Sequence, residues 1–213
     1  MPDPKGNPTL LDLIEEIEDD IERADLNRQV RIAVDRAIRH YQPERFGFNE
    51  RVLTFVTMPG VDVYAGGDLG EIADLYAVDT LVLIQNDQPW PLRRVPESDI
   101  ETRQDAASLA QPCRFSFFDR SIRLDPVPDA AYTMRLTGHV KIAAPATDDA
   151  TSPWVDEAGT LIAAWAKRHL AQNSLRNPAM AQIQDGAVRQ AFNELRGRAN
   201  RAASAGVIRA WSL

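Results

Sequence analysis

Residues 112–138 read PCRFSFFDRSIRLDPVPDAAYTMRLTG, and this stretch predicts its own strand pairing. With Asp119 and Arg120 as a two-residue turn, the flanking residues form two strands whose side chains alternate between two faces. One face is apolar, in the cross-strand pairs Phe115–Leu124 and Phe117–Ile122. The other face is polar, in the pairs Ser116–Arg123 and Arg114–Asp125. The pattern therefore predicts a half-buried hairpin with a cross-strand ion pair on its polar face.

The hairpin is one part of a longer β-rich region that begins at Arg51. Pro126 and Pro128 end the hairpin, because proline lacks the amide hydrogen that a strand ladder needs. Residues 132–136 alternate again and predict a third strand. Upstream of the hairpin, we expect strands at 52–56, 72–76, 79–84 and 90–95, turns at 59–60 and 86–87, and a short helical turn at 96–100.

Two helices are predicted before the β-rich region. Thr9, followed three residues later by Asp12, indicates a capped helix start. A second helix is expected to begin at Asp25 and to end at Pro43, which cannot continue it. The first helix has an apolar stripe and a strongly acidic opposite face, which comprises Asp12, Glu15, Glu16, Glu18, Asp19, Asp20 and Glu22.

Two more helices are predicted after the β-rich region. Ser152 is placed to cap the third helix, with Pro153 at the first helical position, where proline is tolerated. Asn177 and Pro178 restart the chain into the last helix. The apolar stripe predicted for that last helix comprises Ile183, Ala187, Ala191, Leu195 and Ala199.

The order of elements predicts an α+β fold. The N- and C-terminal helix pairs form a helical bundle, because each apolar stripe needs a partner, and the strands form a central antiparallel β-sandwich or barrel-like insertion. The expected boundaries are 1–50 with 151–204 for a discontinuous helical domain, 51–150 for the β domain, and 205–213 for a C-terminal docking tail.

The bulk composition excludes several functions. The formal net charge of −7 argues against adhesive, sequence-independent DNA binding, which needs many phosphate contacts from Lys and Arg. No apolar run is long enough to span a membrane, and the first residues do not resemble a signal peptide. The single cysteine, Cys113, excludes an internal disulfide and a cysteine-based zinc cluster. We expect synthesis in the cytoplasm.

No catalytic constellation is visible in the sequence. His40, His139 and His169 lie in three different predicted elements and none has a metal ligand at helical spacing, so they are interpreted as structural or surface residues. Cys113 has no nearby histidine and is interpreted as an inert thiol. No nucleophile elbow, phosphate loop or dinucleotide motif is present. We expect a protein that is not an enzyme and that uses no cofactor or metal.

Charge and apolarity are distributed unevenly along the chain. The first helix offers Glu15, Glu16 and Asp19, whereas the last helix offers Arg189, Arg196 and Arg198, so we expect neighbouring copies of a homo-oligomer to pair these surfaces. The C-terminal tail is apolar and basic, with Val207, Ile208, Arg209, Trp211 and Leu213. An apolar chain end suggests docking into a partner, and the alternative is that it folds back on its own surface.

Several diffuse motifs, in a fixed order, carry a family resemblance. They are Ala37–Glu50, with the pattern Tyr-x-Pro-x-x-Phe-x-Phe, then Phe55–Gly60, then Arg120–Tyr132, and finally a proline-led helix that holds Trp165. From about Ile32 to Trp165 the chain resembles the head-to-tail adaptor proteins of tailed bacteriophages, including the tail tubular protein A type. Thr137-Gly138 stands where such adaptors often have a tyrosine, and a Leu-Pro after Tyr64 is missing.

The resemblance implies a structural virion protein at the head–tail interface, made in the cytoplasm of the bacterial host. Such adaptors form rings, usually dodecameric, below the portal protein. The ring extends the DNA channel and presents a docking face to a downstream tail, nozzle or terminator protein. Double-stranded DNA is expected to pass through without sequence-specific binding, and no membrane is involved. The C-terminal segment of related adaptors often reaches into the portal, which places that role on Val207–Leu213.

Two other readings stay open at this point. One is a tail-completion or terminator ring protein of a phage, which a six-fold ring would favour. The other is a sugar- or peptide-binding β-sandwich, which predicts a monomer with a pocket lined by Trp90 or Tyr64.

Overall fold

This computed structural model describes residues 6–66, 74–102 and 109–203. The chain divides into two compact units. The helical unit comprises Met1–Phe48 and Ile142–Leu213, and the β unit comprises Asn49–Lys141. The α+β class expected from the order of elements is confirmed.

The described residues form six α-helices and eight strands. The helices are α1 Leu10–Ile21, α2 Asn27–Tyr41, α3 Glu97–Glu101, α4 Pro153–Asp156, α5 Gly159–Asn173 and α6 Pro178–Ala203. The strands are β1 Glu50–Val56, β2 Val63–Ala65, β3 Leu75–Gln85, β4 Gln88–Pro91, β5 Arg93–Arg94, β6 Arg114–Phe118, β7 Ser121–Asp125 and β8 Thr133–Val140. Short 3₁₀ turns occupy Ala24–Leu26 and Gly47–Asn49.

Helix α1 begins with the predicted capping box. Thr9 Oγ1 accepts a hydrogen bond from the Asp12 amide at 3.2 Å, and Asp12 Oδ2 accepts one from the Thr9 amide at 2.8 Å. These two bonds satisfy amide groups that otherwise have no partner in a first helical turn. The buried side of the helix follows the apolar stripe, with Leu13, Ile14, Ile17 and Ile21.

The core of the helical unit combines aliphatic stripes from α1, α2 and α5 with an aromatic group. Phe46 and Phe48 stack at 5.2 Å, and each meets the fully buried Trp154 edge-on. The indole Nε1 of Trp154 donates to the Ile142 carbonyl at 3.0 Å, so its polar atom is satisfied in the core. This group ties the chain entering the β unit to the chain leaving it.

The C-terminal helices depart from the prediction in two places. The helix predicted from Ser152 is split into α4 and α5, and the Ser152 side chain makes no capping bond. Ile183, predicted on the apolar stripe of α6, is 71% exposed. The buried positions of α6 are Ala181, Val188, Ala191 and Leu195, at spacings of seven, three and four. The prediction of Ile183 on this stripe is wrong, because Ile183 follows Ala181 by two residues and so points to another side of the helix.

The β unit contains two four-stranded sheets, ordered β1-β8-β3-β4 and β2-β7-β6-β5. Their inner faces share one apolar core, which makes the insertion a sandwich, and the described strands do not close into a barrel. All pairs are antiparallel except β5 with β6, which is parallel and departs from the expected purely antiparallel arrangement. The chain enters β5 from β4 of the other sheet, so no tight hairpin constrains its direction.

The hairpin of residues 114–125 has the predicted register. Phe115 lies opposite Leu124, Phe117 opposite Ile122, and Arg114 opposite Asp125. Asp119 and Arg120 both have positive φ, as a two-residue turn of this kind requires. The third strand, β8, starts as expected but joins the other sheet, where it pairs with β1 and β3.

The segments predicted as strands 72–76 and 79–84 belong to one strand. β3 runs without a break from Leu75 to Gln85 and absorbs two register shifts against β8, one between Leu75 and Ala77 and one between Val78 and Thr80. These irregularities let one strand follow β8 over its whole length. Residues 72 and 73 lie outside the described residues. No helix in the described part of the chain is both long and apolar enough to cross a membrane.

Candidate functional site

The polar face of the hairpin is buried by a charged network. Arg123 donates from Nη1 to Glu97 Oε1 at 2.8 Å and from Nε to Asp62 Oδ2 at 3.0 Å. Ser116 donates its hydroxyl to Glu97. Burial alone would raise the pKa of Glu97, but the hydrogen bonds from Ser116 and Arg123 outweigh it and the pKa is lowered. A carboxylate that is held ionised in this way fixes α3 to the hairpin and offers no proton for catalysis.

The predicted ion pair between Arg114 and Asp125 is present. Asp125 is 0% exposed, whereas the Arg114 side chain is 40% exposed. The polar face of the hairpin is therefore also partly buried, which the expectation of a half-buried hairpin did not include. Tertiary contacts from α3 and from the loop that carries Asp62 cover the second face.

The three histidines do not form a metal site. Among the described residues, no group of three or more His, Cys, Asp or Glu side chains is arranged to hold an ion. His139 is buried in the β unit, where its ring stacks on Tyr76. His40 and His169 both lie against Trp165 in the helical unit, although their elements are far apart in the sequence. Cys113 is an exposed free thiol.

Tyr64 and Trp90, which the ligand-binding hypothesis placed in a pocket, have different environments. Tyr64 is a core residue whose hydroxyl donates to the Val61 carbonyl at 2.7 Å and accepts from the Met58 amide at 3.0 Å. Burial raises the pKa of Tyr64. Its polar atom is engaged within the fold and is not offered to a ligand. Trp90 is exposed on the edge strand β4.

The charged residues proposed for an interface are exposed. Glu15, Glu16 and Asp19 lie on the solvent side of α1. The three arginines named on α6 are also exposed, and two of them already have contacts within the chain. Arg189 pairs with Asp185 at 2.6 Å, and the Arg196 guanidinium lies 5.5 Å from the Phe192 ring centroid, while Arg198 is exposed. No ion pair within the described ranges joins the α1 carboxylates to these arginines.

The tail residues Val207, Ile208, Arg209, Trp211 and Leu213 lie outside the described residues, so their role stays a prediction.

One exposed surface was missed by the sequence analysis. The outer face of the first sheet comprises Val52, Thr54, Val56, Thr80, Val82, Ile84, Pro89, Pro91, Thr133, Arg135 and Thr137. Val52 is 65% exposed, and Arg135 is the charged member of this set. The signal was available, because Leu53 and Phe55 alternate with Val52 and Val56, but alternation alone does not say which side faces the core.

The geometry thus shows a helical unit with charged surfaces and a β sandwich, and no metal-binding group among the described residues. No protein with a curated description matches the chain. Residues 8–210 match the model of the SU10 adaptor protein family, so the match covers nearly the whole chain, including both units. The chain therefore belongs to the SU10 adaptor protein family and is a structural phage adaptor protein.

Proposed function

We propose that the protein forms a ring that joins the portal vertex of the phage head to the tail and extends the channel through which the genome is retained and ejected. The match to the adaptor family over residues 8–210 is the observation that carries this proposal. The ring is dodecameric, and its partners are the portal protein above and a tail, nozzle or terminator protein below. The finer resemblance to the tail tubular protein A type stays a prediction.

The charge of the chain suits a channel for DNA. A net charge of −7 repels phosphate and keeps the passing duplex from binding, since sequence-independent affinity depends on Lys and Arg contacts to the backbone. The protein acts as a virion component and not as an enzyme. Image classes of rings with twelve-fold symmetry would support this role, whereas six-fold rings would favour a tail-completion or terminator ring.

The subunit interface of the ring is heterologous and pairs unlike surfaces. A closed ring needs two different faces on each subunit, because a face that binds itself stops at a dimer. Glu15, Glu16 and Asp19 form an exposed acidic face on α1. The basic surface that binds this acidic face on the neighbouring subunit comprises Arg189, Arg196 and Arg198 of α6. Complementary charges of this kind direct association and its register.

The interface is tested by reversing the charges of α1. We expect the variant Glu15→Lys with Glu16→Lys and Asp19→Lys to lose ring formation, measured by light scattering with and without portal protein. A matched control carries lysine at three exposed acidic positions of the β unit, Asp87, Asp99 and Asp129, and should assemble normally. Rings formed by the α1 variant at wild-type efficiency would remove α1 from the interface.

The C-terminal tail is proposed to attach the ring to the portal. Val207, Ile208, Trp211 and Leu213 are apolar, and Arg209 adds a charged contact. Deleting residues 206–213 should abolish binding to portal protein in a pull-down while the circular dichroism spectrum stays that of the full chain. A control that lacks residues 1–5 should bind the portal. If heads carrying the truncated adaptor still attach phage tails, the C-terminal segment is not the docking element.

A further inference from the structure

A cluster of cationic and aromatic side chains lies where α2 packs beside α5. Trp165 is at its centre and is 8% exposed. The His169 ring lies parallel to the Trp165 ring, with the centroids 5.3 Å apart and the planes at 8°. The His40 ring lies 5.7 Å from the Trp165 ring. Arg36 and His40 are exposed, so the cluster opens to solvent.

Hydrogen-bond donors outnumber acceptors in this cluster. Arg36 Nη1 lies 3.0 Å from His169 Nε2 and can only donate, so Nε2 is the acceptor in this contact. His169 Nδ1 in turn faces the Asn173 amide nitrogen at 3.2 Å, which is another donor. Trp165 Nε1 and Arg168 Nε are buried without a hydrogen-bond partner in the described structure. A ligand with acceptor oxygens supplies what the cluster lacks.

The charge of the cluster is also one-sided. Arg168 donates to Asp185 at 3.1 Å, but the same carboxylate accepts from Arg189 at 2.6 Å. Burial lowers the pKa of His169, and the Arg36 and Arg168 guanidinium groups lower it further. The imidazole is therefore neutral near pH 7 and lies among cations. Together with the donor surplus, this favours a carboxylate as the ligand.

We infer that this cluster binds a carboxylate from α1 of a second copy of the chain. Glu15, Glu16 and Asp19 are exposed and form no ion pair in the described part of the chain, and the cluster has the opposite charge. Both surfaces belong to the helical unit, and no ion pair between described residues joins them. Each copy therefore offers one acidic and one cationic surface to two different neighbours, which is the heterologous contact that a ring requires.

This inference rests on the proposed self-assembly and extends the basic side of the interface beyond α6. The α6 arginines are partly engaged, Arg189 by Asp185 and Arg196 by the Phe192 ring. Among the described residues of the cluster on α2 and α5, Arg168 shares the Asp185 carboxylate with Arg189, and Arg36 has the uncharged acceptor His169 Nε2. The two basic surfaces are separated by single variants, Arg36→Glu for the cluster and Arg198→Glu for α6.

The test uses two complementary variants of the full chain in sedimentation velocity. Arg36→Glu spoils the cluster and keeps α1, and the triple α1 lysine variant spoils α1 and keeps the cluster. Each alone should self-associate at least about tenfold more weakly than the wild type, as expected when one partner of a contact between opposite charges is removed. An equimolar mixture should form a one-to-one heterodimer, because the intact α1 of one variant fits the intact cluster of the other.

The control for net charge is Arg28→Glu, an exposed position on the same helix about 12 Å along its axis from Arg36. It should associate like the wild type. A second readout is the pKa of His169, followed by NMR. On association it should rise, because the incoming carboxylate favours the protonated ring against Arg36 and Arg168; Asn173 and Asp185 complete its described polar surroundings.

The inference is overturned if Arg36→Glu associates as tightly as Arg28→Glu, or if the mixture of complementary variants stays monomeric. A wild-type chain that is monomeric up to its solubility limit also contradicts the inference. The proposed joining of heads to tails is tested separately, by whether phage tails attach to the heads. If Arg198→Glu abolishes association while Arg36→Glu does not, the acceptor is α6, and the ring stands without this site.

Discussion

Among the described glycines of the β unit, Gly138 leaves the least room for an added methyl group. It lies in β8 opposite the irregular part of β3, and a Cβ there would lie 2.2 Å from the Ala77 carbonyl oxygen. The Ala77 carbonyl is a backbone group and cannot rotate away by itself, so β3 and β8 must move apart. We expect Gly138→Ala to destabilise the protein by about 1–3 kcal/mol, seen as a lower urea midpoint.

A second glycine provides the control for Gly138. Gly186 is in α6, and a Cβ there meets no atom within 4 Å. Gly186→Ala should therefore raise the stability by about 0.5–1 kcal/mol, because alanine loses less backbone entropy in a helix. Equal midpoints for the two alanine variants would contradict the close approach of β3 and β8.

Glu97 makes the stability of the β unit depend on pH. Its folded-state pKa is lowered because the hydrogen bonds from Ser116 and Arg123 outweigh the opposing effect of burial. A lowered pKa stabilises the fold above the unfolded-state pKa of about 4.3, and this contribution is lost as the pH falls through the lower folded value.

Glu97→Gln should therefore cost about 1–2 kcal/mol at pH 7 and progressively less below about pH 4. Urea unfolding at a series of pH values measures both quantities. Glu101→Gln, at an exposed position of the same helix, should change neither. A cost for Glu97→Gln that is constant from pH 7 to pH 3 would show that the carboxylate charge does not stabilise the fold.

At the level of elements, an ion pair at the open end of the hairpin β6–β7 stabilises the hairpin. Asp125 is fully buried and paired with Arg114. Removing the arginine takes the opposite charge away from a buried carboxylate, so Arg114→Met should destabilise by about 3–5 kcal/mol. Asp125→Asn should cost less, because a neutral amide leaves no buried charge. Arg93→Met, on the adjacent exposed strand β5, is the control and should be close to neutral.

The hairpin also shows which elements a sequence predicts. Its register follows from residues within eleven positions of one another and from a two-residue turn, so the pairing Arg114–Asp125 was predicted correctly. The burial of its polar face was not, because Glu97 and Asp62 reach it from distant parts of the chain. The same reason applies to β8, whose alternation predicts a strand but not the sheet that it joins.

The candidate interfaces follow the same division. The acidic face of α1 is visible as a helical pattern and its exposure agrees with that pattern. The cluster around Trp165 was missed, since Arg36 and His169 are 133 positions apart and meet only through the packing of α2 on α5. The sequence likewise gave no indication that the rings of His40 and His169 both lie against Trp165.

For the whole molecule, the net charge of −7 and the proposed contacts act in opposite directions on assembly. The net charge makes copies repel one another over long distances, whereas the α1 carboxylates and their basic acceptors attract at contact. Salt screens charges beyond about 10 Å at 0.1 M and beyond about 3 Å at 1 M. The long-range repulsion is therefore largely screened already at 0.1 M, and a further increase in salt acts mainly on the contacts.

Self-association should accordingly weaken between 0.1 and 1 M NaCl. The dissociation constant from sedimentation equilibrium at the two salt concentrations measures this change. The triple α1 lysine variant should show a flatter dependence, because it lacks the attractive pairs. Association that strengthens with salt would point to an apolar interface instead. The outer face of the first sheet, with the exposed Val52 and Val56, would then be the surface to substitute next.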